Sequence, residues 1–206
     1  MKELMSTQVI RKDNWLIVRF PSPQTILSWA SHRGGRVQAD TVAWYQVRDQ
    51  DLKPPVDAKQ FLFEKLRESS MPNAVGLLTS TCLDSYSDLE KTNDDLWVRT
   101  ITTVGLSNAV RVGDPPVKSC RVGTINILCQ LSVPLTEEAQ LEALSLVVEG
   151  RSAAVLEADV PSIQTGLPAT GTGTDCVVVA APCVEGTPGK QISQILEYAG
   201  KHTGLG

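Results

Sequence analysis

The stretch from Thr165 to Pro182, Thr-Gly-Leu-Pro-Ala-Thr-Gly-Thr-Gly-Thr-Asp-Cys-Val-Val-Val-Ala-Ala-Pro, constrains this chain more than any other. Cys176 to Ala181 is a short, β-branched apolar run closed by Pro182, the pattern of a buried strand. Such a strand needs a sheet around it. The residues before it have the opposite character: Thr165, Thr170, Thr172 and Thr174 are interspersed with Gly166, Gly171 and Gly173 and lead into Asp175. Glycines permit close backbone approach, and threonine hydroxyls and amide N–H groups point into the same small volume. Asp175, at the joint of loop and strand, is therefore a candidate for chemistry. A dinucleotide loop would need Gly-x-Gly-x-x-Gly after a strand and before a helix. Here Cys176 occupies the third position and the loop precedes a strand, so both pattern and context fail. A plain turn between two elements stays open.

At 206 residues the chain suits one domain, 1–206, with a sizeable core. A net charge of −4 argues against a nucleic-acid partner, because phosphate backbones call for a dense basic surface. Charges interrupt every apolar stretch well short of the ~18 residues of a membrane span, and Met1 to Arg11 lacks the apolar core of a signal peptide. The expected location is cytoplasmic. The acidic run from Asp84 to Asp95 reads as a solvated loop. Five cysteines, an odd number with no Cys-x-x-Cys, exclude a disulfide framework and a zinc ribbon. Cys82, Cys129 and Cys176 lie in or beside apolar runs, where a reduced thiol behaves as a small hydrophobe. A Cys–His nucleophile using His32 or His202 stays open.

Trp15 to Phe20 reads as a strand turned by Pro21-Ser22-Pro23, and Thr25 to Ser31 is a second apolar run ending in the turn His32-Arg33-Gly34-Gly35-Arg36. Thr41 to Val47 and Ala74 to Thr81 are strand-like, and the spacing over Asp57 to Ser69 predicts a helix. Trp97 to Val104 alternates, with Val98, Thr100, Thr102 and Val104 on one face. Gly123 to Leu128 is a further strand that carries Asn126, either a bridge between strands or a site residue. Thr136 to Asp159 is the clearest helix: Thr136 is its N-cap, Leu141, Leu144, Val148 and Val155 mark its apolar line, and Ala139, Ala143, Leu146, Ala153 and Ala154 widen it. Glu138, Glu142, Ser145, Glu149 and Ser152 form its polar stripe, so periodicity alone makes Glu149 a solvated residue. Gly150 interrupts this helix at a cost of about 1 kcal/mol, which close packing against a backbone or ligand would explain. Gly189 to Gly200 reads as a last helix, with Ile192, Ile195, Leu196 and Ala199 apolar. The fold class that follows is mixed α/β (α+β), one compact domain with a β-sheet core flanked by helices and a pocket at strand ends.

Five segments then stand in a recognisable order: Gly76-Leu77-Leu78-Thr79, Gly105-Leu106-Ser107-Asn108-Ala109, Gly123-Thr124-Ile125-Asn126-Ile127, Ala169 to Asp175, and Tyr198-Ala199-Gly200-Lys201-His202-Thr203. The chain resembles the adenosylcobinamide amidohydrolase family from about Ser28 onward. The resemblance implies hydrolysis of the amide that joins aminopropanol to a propionate arm of the adenosylated corrin ring, giving adenosylcobyric acid. The corrinoid is then a small-molecule substrate and no cofactor is required. Three departures stand out: Val148-Glu149-Gly150-Arg151 replaces a Thr-Glu-Ala-Lys-like segment, Arg33 stands where an Asn precedes the two glycines, and relatives run on past Leu205. These bear on how far activity is retained and which corrinoids are accepted, and a non-catalytic corrinoid-binding protein is the alternative. His32 and His202 lack the Asp-x-His-x-x-Gly context, so no cobalt–histidine bond is expected. Trp29 and Trp44 are candidate walls for a flat ring.

Amide hydrolysis needs an activated nucleophile, donors for the oxyanion and an acid for the leaving amine. Asp175 is assigned as base or orienting carboxylate, His202 as proton donor, and Glu149 as the second carboxylate the resemblance retains. Asn108 and Asn126, with N–H groups around Thr172 and Thr174, are assigned to the oxyanion, and Lys201 to substrate binding. No metal-ligand spacing such as His-x-x-x-His is present and no metal is expected. Self-cleavage at Gly123-Thr124 to expose a threonine nucleophile is a further alternative, and a homo-oligomer is left open.

Overall fold

A computed structural model describes residues 6–48, 50–93, 96–116 and 123–183. Its axis is the apolar run singled out above: β10 (Cys176–Pro182) pairs in parallel with β8 (Ile125–Leu131) and antiparallel with β2 (Trp15–Ser28). From β2 the sheet continues through β3 (Gly35–Gln46) to β4 (Val75–Thr79). From β8 it continues through β6 (Leu96–Val104) to the edge strand β5 (Ser87–Asn93). The strand order is β4-β3-β2-β10-β8-β6-β5, with β1 (Gln8–Lys12) beside the first part of β2. The two parallel pairs, β3–β4 and β8–β10, need crossovers, and helices supply them: α1 (Ala58–Glu68) and α2 (Glu137–Glu157). The chain is thus a mixed α/β domain with a sheet core flanked by helices.

Both helices start where side chains satisfy otherwise unpaired N–H groups. The Asp57 carboxylate accepts from Gln60 N, and the Thr136 hydroxyl accepts from Ala139 N with Glu137 and Glu138 in the first turn. Alternation along the strands then makes two cores. Leu16, Trp44, Leu77, Ile101, Leu128 and Val178, drawn from six strands, form one cluster on the inner face. On the outer face α1 covers Ile17 and Ala43, and α2 covers Ile127, Val177 and Val179. The sheet is also rolled. In a flat sheet β4 and β8 would lie about 19 Å apart, four strand spacings, yet Asn126 Nδ2 of β8 donates to Leu78 O of β4 at 2.8 Å.

Four sequence readings are corrected. Pro21-Ser22-Pro23 does not end the strand; the prolines fall in a register shift between Arg19 and Gln24, where the ladder asks no N–H of them. The acidic run contains a strand, not only loop. β5 is exposed throughout and lacks an apolar alternation to betray it, while its charges protect the sheet edge, with Asp88 gripped by Arg99 at 2.7 and 2.8 Å. Leu141 is 60 % exposed. Of the apolar residues read on α2, Ala139, Ala143 and Val155 are buried, with Gln140 beside them; the alanines let the helix approach the sheet, and the Gln140 amide donates to Thr25 O at 3.0 Å. Finally, Cys82 is exposed beside the 3₁₀ turn at Leu83–Ser85, whereas Cys129 and Cys176 are buried as read. No helix among the described residues is long and apolar enough to cross a membrane.

Candidate active site

Rolling the sheet draws four distant segments to one rim. The end of β4, the turn after β6, the entry to β8 and the entry to β10 border a cleft of about 340 Å³. Its lining includes Leu78, Thr79, Asn108, Gly123, Thr124 and Thr174, with Ser31 and Ser80 beside them. Four of the five motif segments named from sequence therefore meet here. The fifth lies outside the described residues, and with it Lys201 and His202.

Asp175 anchors this rim from behind. Its side chain is only 4 % exposed and forms an ion pair with Arg151 of α2, itself 13 % exposed, at 3.2 Å. One carboxylate oxygen accepts from Ile125 N at 2.9 Å and from the Thr172 hydroxyl; the other accepts from Thr172 N at 2.8 Å and is the one paired with the Arg151 guanidinium. Three hydrogen bonds and the ion pair fix this buried carboxylate in place. The arrangement depends on Gly171, because a Cβ there would overlap Asp175 Oδ2 and come within 3.4 Å of Arg151 Cζ. Gly171–Thr172 also forms β9, which pairs with β7 (Ala109–Val110), so the Asp175 loop and the Asn108 segment are laced together. Asp175 thus ties α2, β8 and two motif loops into a single rim. Its lone pairs are taken up by these donors.

The front of the cleft is built by close approach. A Cβ on Gly123 would sit 2.5 Å from Asn108 Oδ1, 2.7 Å from Ser107 Oγ and 2.9 Å from Gly105 O, so only glycine lets the two motif turns touch. Thr174 Oγ1 donates to Gly123 O at 2.7 Å, and Thr124 Oγ1 donates to Thr174 O at 2.8 Å, stitching both turns to the Asp175 loop. Asn108 is buried, lines the cleft, and leaves Oδ1 without a hydrogen-bond partner among the described residues. An unsatisfied buried acceptor costs ~1–3 kcal/mol, which a ligand donor would remove.

Other assigned residues have other places. Asn126 spends one amide hydrogen on Leu78 O and lies 3.3 Å from Thr124 Oγ1; it bridges strands beneath the cleft rather than lining it. Thr172 N and Oγ1 are committed to Asp175. Glu149 is exposed with Ser145 Oγ 3.3 Å away, and does not line the cleft. Arg151 stands two positions on, about 200° of helix rotation, so when Arg151 reaches Asp175 Glu149 faces away. Trp44 is fully buried in the inner core and walls no pocket, a correction to that candidate. Trp29 is 45 % exposed and its indole N–H donates to Asp175 O at 2.6 Å, which sets a flat ring beside the rim. Burial pushes the Cys129 and Cys176 thiols up to about 12, so neither supplies a thiolate near neutrality.

Sequence reasoning noted Arg151 only as a departure. The signal for its pairing is Gly171, where a Cβ would meet both Asp175 Oδ2 and the Arg151 guanidinium. Among the described residues no group of three or more His, Cys, Asp or Glu side chains converges as a metal site would require.

Comparison with known proteins identifies the family. The family described as adenosylcobinamide amidohydrolase matches the chain over residues 1–206. A protein of Methanosarcina mazei named adenosylcobinamide amidohydrolase is 29% identical over 199 residues, covering 95% of this chain and 88% of that protein. An uncharacterized protein of Methanocaldococcus jannaschii is 28% identical over 150 residues, 63% of this chain and 55% of its own length.

Proposed function

The chain belongs to the adenosylcobinamide amidohydrolase family, and from that premise we propose that it hydrolyses the aminopropanol amide of adenosylcobinamide to give adenosylcobyric acid and free aminopropanol. The observation that carries the reading is the meeting of four motif segments, from Leu78 to Thr174, around one cleft. At about 340 Å³ the cleft is at the small end of ligand pockets. It suits the amide arm and its aminopropanol, while the corrin ring stays outside against the exposed face of Trp29.

In this reading Asn108 Oδ1 receives the N–H of the scissile amide, and the Thr124 and Thr174 hydroxyls crowd its carbonyl carbon. Asp175 and Arg151 act by position, holding the loop that presents Thr174. Lys201 and His202, outside the described residues, take the roles of substrate contact and proton donor to the departing amine. Glu149, on the outer stripe of α2, is left to solvent. Substrate is a corrinoid; cobalt travels with it and needs no ligand from the protein.

One observation favours a second reading, a corrinoid-binding protein without turnover: the described lining of the cleft offers Ser, Thr and Asn but no titratable side chain. The two part in a single assay. Incubation with adenosylcobinamide and mass spectrometry yields adenosylcobyric acid and aminopropanol if the hydrolase reading is right. Binding with no loss of the amide supports the second reading, and neither binding nor turnover defeats both.

A further inference from the structure

The cleft has two walls of different chemistry. One is the motif rim already described, with Asn108, Thr124 and Thr174; the other is apolar and made of Val47, Leu52, Ala58 and Leu78. No motif segment contributes Val47, Leu52 or Ala58. They come from the residue after β3, the connection that follows it and the first residue of α1. Val47 is only 4 % exposed, and Leu52 and Ala58 are half-buried. Yet none of them belongs to any of the hydrophobic clusters formed among the described residues. Their apolar surface lines the cleft instead of joining a core.

This wall is held in place. Val47 N donates to Thr79 O at 2.8 Å, so the chain leaving β3 lies against the rim of β4. Arg48 N donates to Asp51 Oδ2 at 2.7 Å and Asp51 N donates to Arg48 O at 2.9 Å, which fixes the approach to Leu52. The Asp57 carboxylate caps α1 and sets Ala58 beside them. A fixed apolar wall facing a polar rim suits a ligand group that is apolar on one side and polar on the other.

We infer that Val47, Leu52 and Ala58 determine specificity for the leaving amine by receiving the methyl group of aminopropanol. The inference rests on the reading of this cleft as the seat of the amide arm. Beyond its nitrogen, aminopropanol carries a hydroxyl and a methyl on one carbon. With the amide N–H on Asn108 Oδ1, the hydroxyl stays with the hydroxyl-bearing rim and the methyl meets the opposite wall. An ethanolamine arm keeps the amide and the hydroxyl and lacks only the methyl, so it leaves the wall uncovered. One such group in a hydrophobic pocket discriminates by ~10–200-fold. A wall on one side of an open cleft belongs near the lower end of that range.

The test compares adenosylcobinamide with its ethanolamine-armed counterpart on wild type, Leu52→Ala and Val47→Thr, with circular dichroism reporting each fold. Preference is read as the ratio of kcat/KM where the amide is cleaved and as the ratio of Kd where it is not. Wild type should prefer the aminopropanol arm by about 10-fold. Leu52→Ala should cut this to about threefold or less, by weakening the aminopropanol-armed ligand alone. Val47→Thr, nearly isosteric but with a hydroxyl in the wall, should lower the same ratio. Equal handling of the two arms by wild type overturns the inference and leaves the hydrolase reading standing if both amides are cleaved. A preference unchanged in every variant that folds overturns it too, as does failure to bind either ligand. A Kd ratio favouring the aminopropanol arm and lowered by the variants, with no amide cleaved, supports the wall and counts against the hydrolase reading alone.

Discussion

Asp175→Asn separates an organising carboxylate from a reacting one. The carboxylate accepts from Ile125 N, Thr172 N and the Thr172 hydroxyl and forms an ion pair with Arg151. Asparagine has one acceptor oxygen and turns an NH₂ toward the rest. One orientation strands Ile125 N and the Thr172 hydroxyl, the other strands Thr172 N and Arg151. Hydrogen bonds to a charged group are worth ~1.5–3 kcal/mol each, and an ion pair broken on one side at this burial costs ~3–5 kcal/mol. A destabilisation of about 3–5 kcal/mol follows, which in a chain of this size lowers Tm by about 6–20 °C. Arg151→Met leaves the carboxylate three donors and should cost less, about 1–3 kcal/mol. Calorimetry on both single variants and the double gives a coupling energy, expected at ~1–3 kcal/mol. A Tm shift below about 2 °C for Asp175→Asn, with coupling under about 0.5 kcal/mol, would refute the buried clamp. A stable Asp175→Asn protein that has lost turnover would mean the carboxylate takes the proton itself.

Gly171→Ala places a Cβ onto Asp175 Oδ2 and should destabilise by about 1–3 kcal/mol in urea unfolding, with Arg151→Ala restoring part of the loss by making room. Asn126→Leu strands Leu78 O and should cost about 1–3 kcal/mol, a loss of stability larger than any loss of substrate affinity measured on the refolded fraction. Glu149→Gln should leave turnover within about twofold, since its side chain is exposed and faces away from Asp175. Iodoacetamide at neutral pH should label Cys82 and spare Cys129 and Cys176 in the folded chain. Their thiols, raised to about 12, stay protonated below that pH and become reactive only on unfolding, as peptide mapping after denaturation will show.

The central strand, both long helices and their caps were legible because each rests on a local rule. Cys176–Pro182 is apolar throughout, and Asp57 and Thr136 stand where an N-cap must. What escaped depends on neighbours. β5 is a strand only because β6 offers it an edge, and its exposed sequence has no periodicity to read. Leu141 looked like core because a helical wheel cannot say which of two adjacent faces meets the sheet. The face of Ala139 and Ala143 won, since small residues allow the approach that Gln140 then exploits through Thr25 O. The roll of the sheet was invisible for the same reason: it is a relation between β4 and β8, which neither strand encodes alone.

The same distinction governs the site. Motif order said which segments matter, and the rolled sheet explains why they can act together, but the roles of individual side chains turn on phase. Glu149 and Arg151 lie two residues apart on α2, so at most one can face β10. Resemblance favoured the acid; geometry puts the arginine inward, pairs it with Asp175, and makes Gly171 necessary. Asp175, behind the rim and engaged with Ile125, Thr172 and Arg151, does not line the cleft, so an acid–base group for hydrolysis there has to be sought among the residues that do. The described lining has none. In the proposed reading that role falls to His202, which the family resemblance assigns and which lies outside the described residues.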